Sequence, residues 1–170
     1  MELTGERADD AWEVEALFDL CFAPGREALS SYRLRDGVAP IAELCRVGRD
    51  AAEGPVACAI RAWPVRVGGA PAALVGPVAV HPTRQGEGLG AAMMFDLAAR
   101  APDLGWPRLL LVGDAPYYGR FGFARLDGVE VPPPTNPDRV LGRGDWAGRA
   151  GPVRRWAGPP YADPVRAGMV

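Results

Sequence analysis

The chain has 170 residues, 48% hydrophobic and 24% charged, with a net charge of −2, enough for one globular domain with a real core and marginal for two. No apolar run approaches the roughly 20 residues that span a bilayer, and the acidic opening MELTGERADD is unlike a signal peptide. The charge balance gives no basic footprint for nucleic acid, and all 19 basic residues are arginine, which excludes catalytic-lysine chemistry. Three separated cysteines, Cys21, Cys45 and Cys58, and a single histidine leave a metal site short of ligands. They predict free thiols in a reducing cytoplasm.

Residues 1–7 predict a short first strand. Asp10 followed by Glu13 has capping-box spacing, after which Val14, Leu17, Phe18 and Cys21 share one helical face and Pro24-Gly25 stops the helix. A second short helix is expected in SSYRLR, residues 30–35. Residues 41–47, 56–67 and 72–80 read as strands, with Gly68-Gly69 as a hairpin turn, so that 41–80 forms an antiparallel meander. Pro77 lacks an N–H and argues for an edge or a bulge; with strands on both sides, a bulge would splay this strand and free backbone groups near residues 78–80.

From Leu74 to Gly90 the chain reads LVGPVAVHPTRQGEGLG: a buried strand, a turn, then glycines at 86, 88 and 90 opening a helix over 88–101. Leu89, Ala92, Met93 and Leu97 are its expected apolar face and Pro102 its stop. RLLLV at 108–112 reads as a buried strand, parallel to 72–80 through a right-handed crossover. From Pro132 onward Pro, Gly and Arg dominate, with one or two last strands near 139–141 or a segment that wraps the domain.

The glycines leave amide donors uncovered at a helix N-terminus, which suits a phosphate or pyrophosphate. A dinucleotide fold is one reading, since Gly86, Gly88 and Ala91 satisfy G-x-G-x-x-G/A and Asp114 follows at a workable distance. Against it stand the HPTRQ spacer between Val80 and Gly86, the antiparallel meander before it, and too little chain after Asp114 for further strand–helix units.

Gln85-Gly86-Glu87-Gly88-Leu89-Gly90, after VAV and HPTR, resembles the acyl-CoA signature of the Gcn5-related N-acetyltransferase (GNAT) superfamily. LLVGDAPYYGRFGF at 110–123, with SYRLR upstream, is similar to the YhbS-like bacterial branch, and the resemblance spans roughly residues 1–130. It implies an α+β fold in α/β/α layers, with a mixed, mostly antiparallel sheet and a splayed parallel strand pair. The expected organisation is a single domain, 1–170, with 131–170 packed on the core.

The same resemblance implies a cytoplasmic acetyltransferase using acetyl-CoA and no metal. The pyrophosphate would rest on the amides of Gln85, Gly86, Glu87, Gly88, Leu89 and Gly90, with Arg84 as charge partner. Pantetheine would run along Val78 and Val80, the N–H of one of them or of Ala79 polarising the thioester carbonyl. Tyr118 would protonate the leaving thiolate, Tyr117 being the packing alternative. The base stays open between Glu43, His81 and water, because Gly76, Pro77, Val78 and Ala79 stand where some relatives carry Glu. His81 also reads as a turn residue, Asp114 as shaping the strand end or capping the 115–121 helix, and Arg33 and Arg61 as candidates for the acceptor cleft. The acceptor is a small-molecule or protein amine; no nucleic acid or membrane partner is expected, and a homodimer is left open. A non-catalytic acyl-CoA-binding module is the alternative.

Overall fold

The computed structural model describes residues 1–22, 26 and 29–157. The expected helix stop at Pro24-Gly25 and the last part of the C-terminal segment lie outside these. The chain runs β1 (Glu2–Gly5), α1 (Ala11–Cys21), α2 (Ser30–Arg33), β2 (Arg46–Arg49), β3 (Cys58–Val67), β4 (Ala70–Val80), α3 (Leu89–Arg100), β5 (Arg108–Val112), α4 (Ala115–Tyr118), β6 (Ala124–Arg125), β7 (Val129–Glu130), β8 (Val140–Gly144) and β9 (Gly151–Arg155). The main sheet has the order β1-β2-β3-β4-β5-β8-β6, and β9 joins the far end of β3 while pairing with β7. Antiparallel pairing holds from β1 to β4, and β4 and β5 are parallel. A dinucleotide fold needs successive parallel βαβ units, so that reading is excluded.

The two helical layers follow from where apolar side chains fall. Leu89, Met93, Met94, Leu97 and Ala98 of α3 bury against Cys58, Ile60, Ala62, Ala73, Val75, Leu109 and Leu111. Val14, Leu17 and Phe18 of α1 bury against Val47, Val56, Ala59 and Ala79 on the opposite face. Ala92 was expected on the buried stripe of α3 but is exposed; Met94 and Ala98 take that side instead.

Gly68 and Gly69 make the β3–β4 hairpin with φ of 54° and 77°, values that only glycine adopts cheaply. Further along, Ile60 faces Val78 but Ala62 faces Val75, so two residues of β4 oppose one of β3. Gly76 and Pro77 are therefore the bulge. Its signature is a change of parity: Ala73 and Val75 face α3 before it, Val78 and Val80 after it.

Two local expectations fail for identifiable reasons. Residues 42–44 form a 3₁₀ turn, not a strand, with Leu44 and Cys45 donating to the carbonyls of Ile41 and Ala42. Ile41 and Leu44, three apart, both reach the core that way, and strand begins only at Arg46. The Asp10–Glu13 capping box does not form: Asp10 Oδ2 reaches back to the N–H of Arg7 (2.8 Å), and Glu13 accepts from the N–H of Val56 (2.6 Å). Of the two readings of the C-terminal segment, last strands near 139–141 or a wrapping segment, the strands form: β8 pairs along all of β5 and β9 caps β3.

Candidate functional site

The bulge sets the site. β4 and β5 pair only at Ala73–Leu109 and Leu74–Leu110 and then diverge. Between them lies a gap of about 150 Å³, bordered by Gly76, Pro77 and Val78 on one side, Leu111 and Val112 on the other, with Tyr118 also lining it. The backbone phase along β4 decides which groups face this gap. His81 donates its N–H to Ala57 O (2.8 Å), so by antiparallel alternation Ala79 also bonds toward β3, opposite Ala59. Val78 and Val80 consequently aim their N–H and C=O groups away from β3; Val80 O is met there by Cys21 Sγ at 3.2 Å. The expectation that the Ala79 amide serves the gap is thus corrected: it is spent in the sheet.

A second cavity, of about 350 Å³, sits at the start of α3 and is lined by Val80, Arg84, Gln85, Gly86, Gly88, Leu89, Gly90, Ala91, Tyr117 and Arg120. Among the described residues, no amide from Gln85 to Ala91 donates to another backbone group. Gly86 and Gly88 adopt φ of 86° and 79°, and a Cβ at either would meet only open space. The loop is therefore a concave row of free donors at the positive end of a 12-residue helix. Arg84, expected as the charge partner of this cradle, is instead held by Asp50 (2.7 Å) and Glu87 (2.9 Å). Arg120, missed in the sequence, lines the same cavity, stacks over Tyr117 and Phe121, and has no carboxylate partner among the described residues. Its signal was its place two residues after Tyr118, in the turn that ends α4.

The neighbouring tyrosines separate cleanly. Tyr117 stands against the glycine loop, its hydroxyl 3.5 Å from where a Gly90 Cβ would lie, while Tyr118 lines the β4–β5 gap. Burial pushes the Tyr118 phenol above its ordinary value, with Tyr117 and Asp114 adding to the rise and Arg139 opposing it. Gly113 makes this placement possible: a Cβ there would fall 2.4 Å from Tyr118 Cε2 and 2.8 Å from Cδ2. Asp114 occupies the N-cap of α4, but its side chain makes no capping bond.

The base candidates scatter. Glu43 sits on the 3₁₀ turn before β2 and lines none of these cavities. The ring Nδ1 of His81 is engaged with Thr83 Oγ1 (2.8 Å) at the head of a 3₁₀ turn, so it is a turn-forming residue. No carboxylate or histidine among the described residues lines the gap. A third cavity, of about 500 Å³, opens on the far side of the bulge and includes Arg33 and Arg61 in its wall. Arg61 is tied to Glu6 (2.6 Å) and to Glu15, whereas Arg33 is exposed and bonds only a backbone carbonyl, Pro133 O.

No family model and no curated protein matches the chain. Solved structures do. YhbS from Escherichia coli, a GNAT family N-acetyltransferase in complex with CoA, is 25% identical over 91% of this chain and 89% of its own, with a TM-score of 0.76. A GNAT family acetyltransferase from Brucella melitensis, in complex with acetyl-CoA, is 26% identical over 95% of both chains, with a TM-score of 0.65. Over nearly its whole length the chain is thus similar to GNAT family N-acetyltransferases. It shares the fold, though only 12% identity, with Naa20 from Chaetomium thermophilum at a TM-score of 0.55. These structural neighbours support an acyltransferase, and the splayed β4–β5 pair is the structural feature that the sequence resemblance implied.

Among the described residues no group of His, Cys, Asp and Glu could hold a metal ion, and no helix is long and apolar enough to cross a membrane. Cys45 and Cys58 are buried, which pushes both thiols up to about 11; Cys21 is half-buried.

Proposed function

We propose that this protein is a cytoplasmic acetyl-CoA-dependent N-acetyltransferase that passes the acetyl group directly to a primary amine. One observation supports the reading: Val78 and Tyr118 line the β4–β5 gap, and two residues on along the same strand Val80 lines the glycine-loop cavity with its free amides. Acetyl-CoA, when bound, supplies an activated thioester. The loop amides from Gln85 to Gly90 fit its pyrophosphate, with Arg120 as the available cation and Arg84 as a strut holding the loop to Asp50. The strand-like amide of Val80, beside the loop, suits the pantetheine arm. Val78, which shares the gap with Tyr118, donates its N–H to the thioester oxygen; one such donor is typically worth about 3 kcal/mol of transition-state stabilisation. Tyr118 keeps its proton at neutral pH and delivers it to the departing sulfur, a general-acid role. With no carboxylate or histidine among the described residues that line the gap, water carries away the amine proton.

The test is a thermal-shift comparison of acetyl-CoA with NAD(P), followed by an amine panel that reads release of the CoA thiol. Stabilisation by acetyl-CoA and amine-dependent thiol release are expected. Tight binding with no amine ever raising release would leave an acyl-CoA-binding module, and stabilisation by NAD(P) alone would overturn the reading.

A further inference from the structure

Arg35 is the chain's most unusual charge. It is 8% exposed, yet among the described residues its Nε and Nη1 have no hydrogen-bond partner and no carboxylate pairs with it. Its guanidinium lies between the rings of Tyr32 and Trp63, at 4.3 Å and 5.9 Å from their centroids. Those faces orient a cation but leave its edge donors unsatisfied, a costly arrangement unless a ligand completes it. Together with Tyr32 and Pro77, Arg35 lines both the 500 Å³ cavity and the acyl gap.

We propose that Arg35 binds a carboxylate on the acceptor, so that the acceptors are amino acids or other amines with a carboxylate close to the reacting nitrogen. This rests on the acetyltransferase reading above. A planar guanidinium with free edge donors matches a carboxylate bidentately. The rest of the cavity agrees. Arg26 is neutralised by Glu15 and Asp19, and Arg61 by Glu6 and Glu15, whereas Arg33 and Arg35 have no carboxylate partner among the described residues. Asp36 also lines the cavity, so Arg26, Arg33, Arg35 and Arg61 are matched in number by Glu6, Glu15, Asp19 and Asp36; what sets Arg35 apart is that its edge donors stay unpaired among the described residues. A simple cationic amine gains nothing from Arg35. An amino acid gains an ion pair for its carboxylate with Arg35, and that nearby charge favours the neutral, nucleophilic form of its amine. Burial lowers the Arg35 guanidinium to about 10, so it stays charged at neutral pH.

The acceptor side is favoured over a carboxylate on the acyl chain because Trp63, one of the two rings that hold Arg35, lines the 500 Å³ cavity and not the acyl gap.

The experiment measures calorimetric binding of N-acetyl amino acids against their C-terminal amides, with CoA present, to the native protein and to Arg35→Met and Arg35→Lys. This readout needs no turnover, so it stands apart from the test of acetyl transfer. At least one free acid should bind the native protein about 10- to 100-fold more tightly than its amide. That ratio should fall to near unity in Arg35→Met and recover in part in Arg35→Lys. If no acid outbinds its amide, or if the preference survives Arg35→Met in a folded protein, the proposal fails. If Arg35→Met does not fold, the acid-to-amide ratio in the native protein and its fall in Arg35→Lys decide. A parallel arm compares succinyl-CoA with acetyl-CoA. A succinyl preference that disappears with Arg35 would assign the carboxylate to the donor and overturn the acceptor assignment.

Discussion

Replacing Gly113 by Ala isolates the placement of Tyr118 from its chemistry. The added methyl would lie 2.4 Å from Tyr118 Cε2 and 3.1 Å from Leu111 Cδ1, while the Gly113 backbone is pinned by its N–H to Arg139 O at 2.9 Å. Ordinary carbon contacts need about 3.5 Å, so the ring must withdraw by roughly 1 Å. Misplacement on that scale costs about 10²-fold in rate, or about 2.7 kcal/mol of barrier. Overpacking should cost about 1–3 kcal/mol of stability, which a folded domain survives. The assay is kcat from CoA thiol release, with the acetyl-CoA Kd from calorimetry as control. Gly113→Ala should match Tyr118→Phe in kcat, leave Kd within a few-fold, and add nothing further in the double variant, since both act through one hydroxyl. A well-folded Gly113→Ala that keeps native kcat would refute the reasoning. So would a double variant whose loss is the product of the two single losses.

Arg120→Ala should weaken acetyl-CoA binding about tenfold, with a shallower salt dependence, because it removes the unpaired cation at the loop; Arg84→Ala should weaken it less, and the reverse order in calorimetry would contradict the assignment. The raised phenol of Tyr118 means that the acid is lost only above the ordinary tyrosine range, so kcat should hold on the alkaline side until above about pH 10. Tyr118→Phe should lose that alkaline limb; an unchanged profile removes the phenol from the mechanism. Asp10 is buried against Arg49 (2.9 Å) and the N–H of Arg7. Burial alone would raise its carboxyl, but these bonds outweigh that and hold it below the ordinary value. Its stabilisation is therefore present above pH about 4 and is lost as pH falls through the depressed value. Asp10→Asn should cost about 3 kcal/mol at pH 7, the low end for a broken buried pair because Arg49 keeps Glu13 and Gly54 O. In urea unfolding the deficit should shrink by pH 2, and an equal deficit at both pH values would count against the pairing.

Reading the chain in order made legible those features that depend on near neighbours. The Gly68-Gly69 turn, the strands either side of it, the start of α3 after the glycines and the strand RLLLV are all written in local pattern. Pro77 predicted the bulge because a missing N–H is a local fact with a non-local consequence. Where two local patterns competed, the tertiary structure chose. Ile41 and Leu44 fit a strand run and a 3₁₀ turn, and the core took them at spacing three. Asp10 and Glu13 fit a capping box, but buried Arg49 and the N–H of Val56 claimed their carboxylates from across the fold.

The site divides in the same way. The glycines at 86, 88 and 90, Tyr118 and the strand before them were sequence-legible, since backbone donors and a helix terminus come from consecutive residues. Which β4 amides face the gap required the register with β3, which spends Ala79 and frees Val78 and Val80. Which arginines stay available required knowing their partners: Arg84 finds Asp50, Arg61 finds Glu6 and Glu15, and Arg120 and Arg35 find no carboxylate among the described residues. A charged residue is the same letter whether paired or not. Sequence alone determined the cradle and the strand that leads into it; only the fold decided which charges remain to meet a ligand, because pairing is settled between residues distant along the chain.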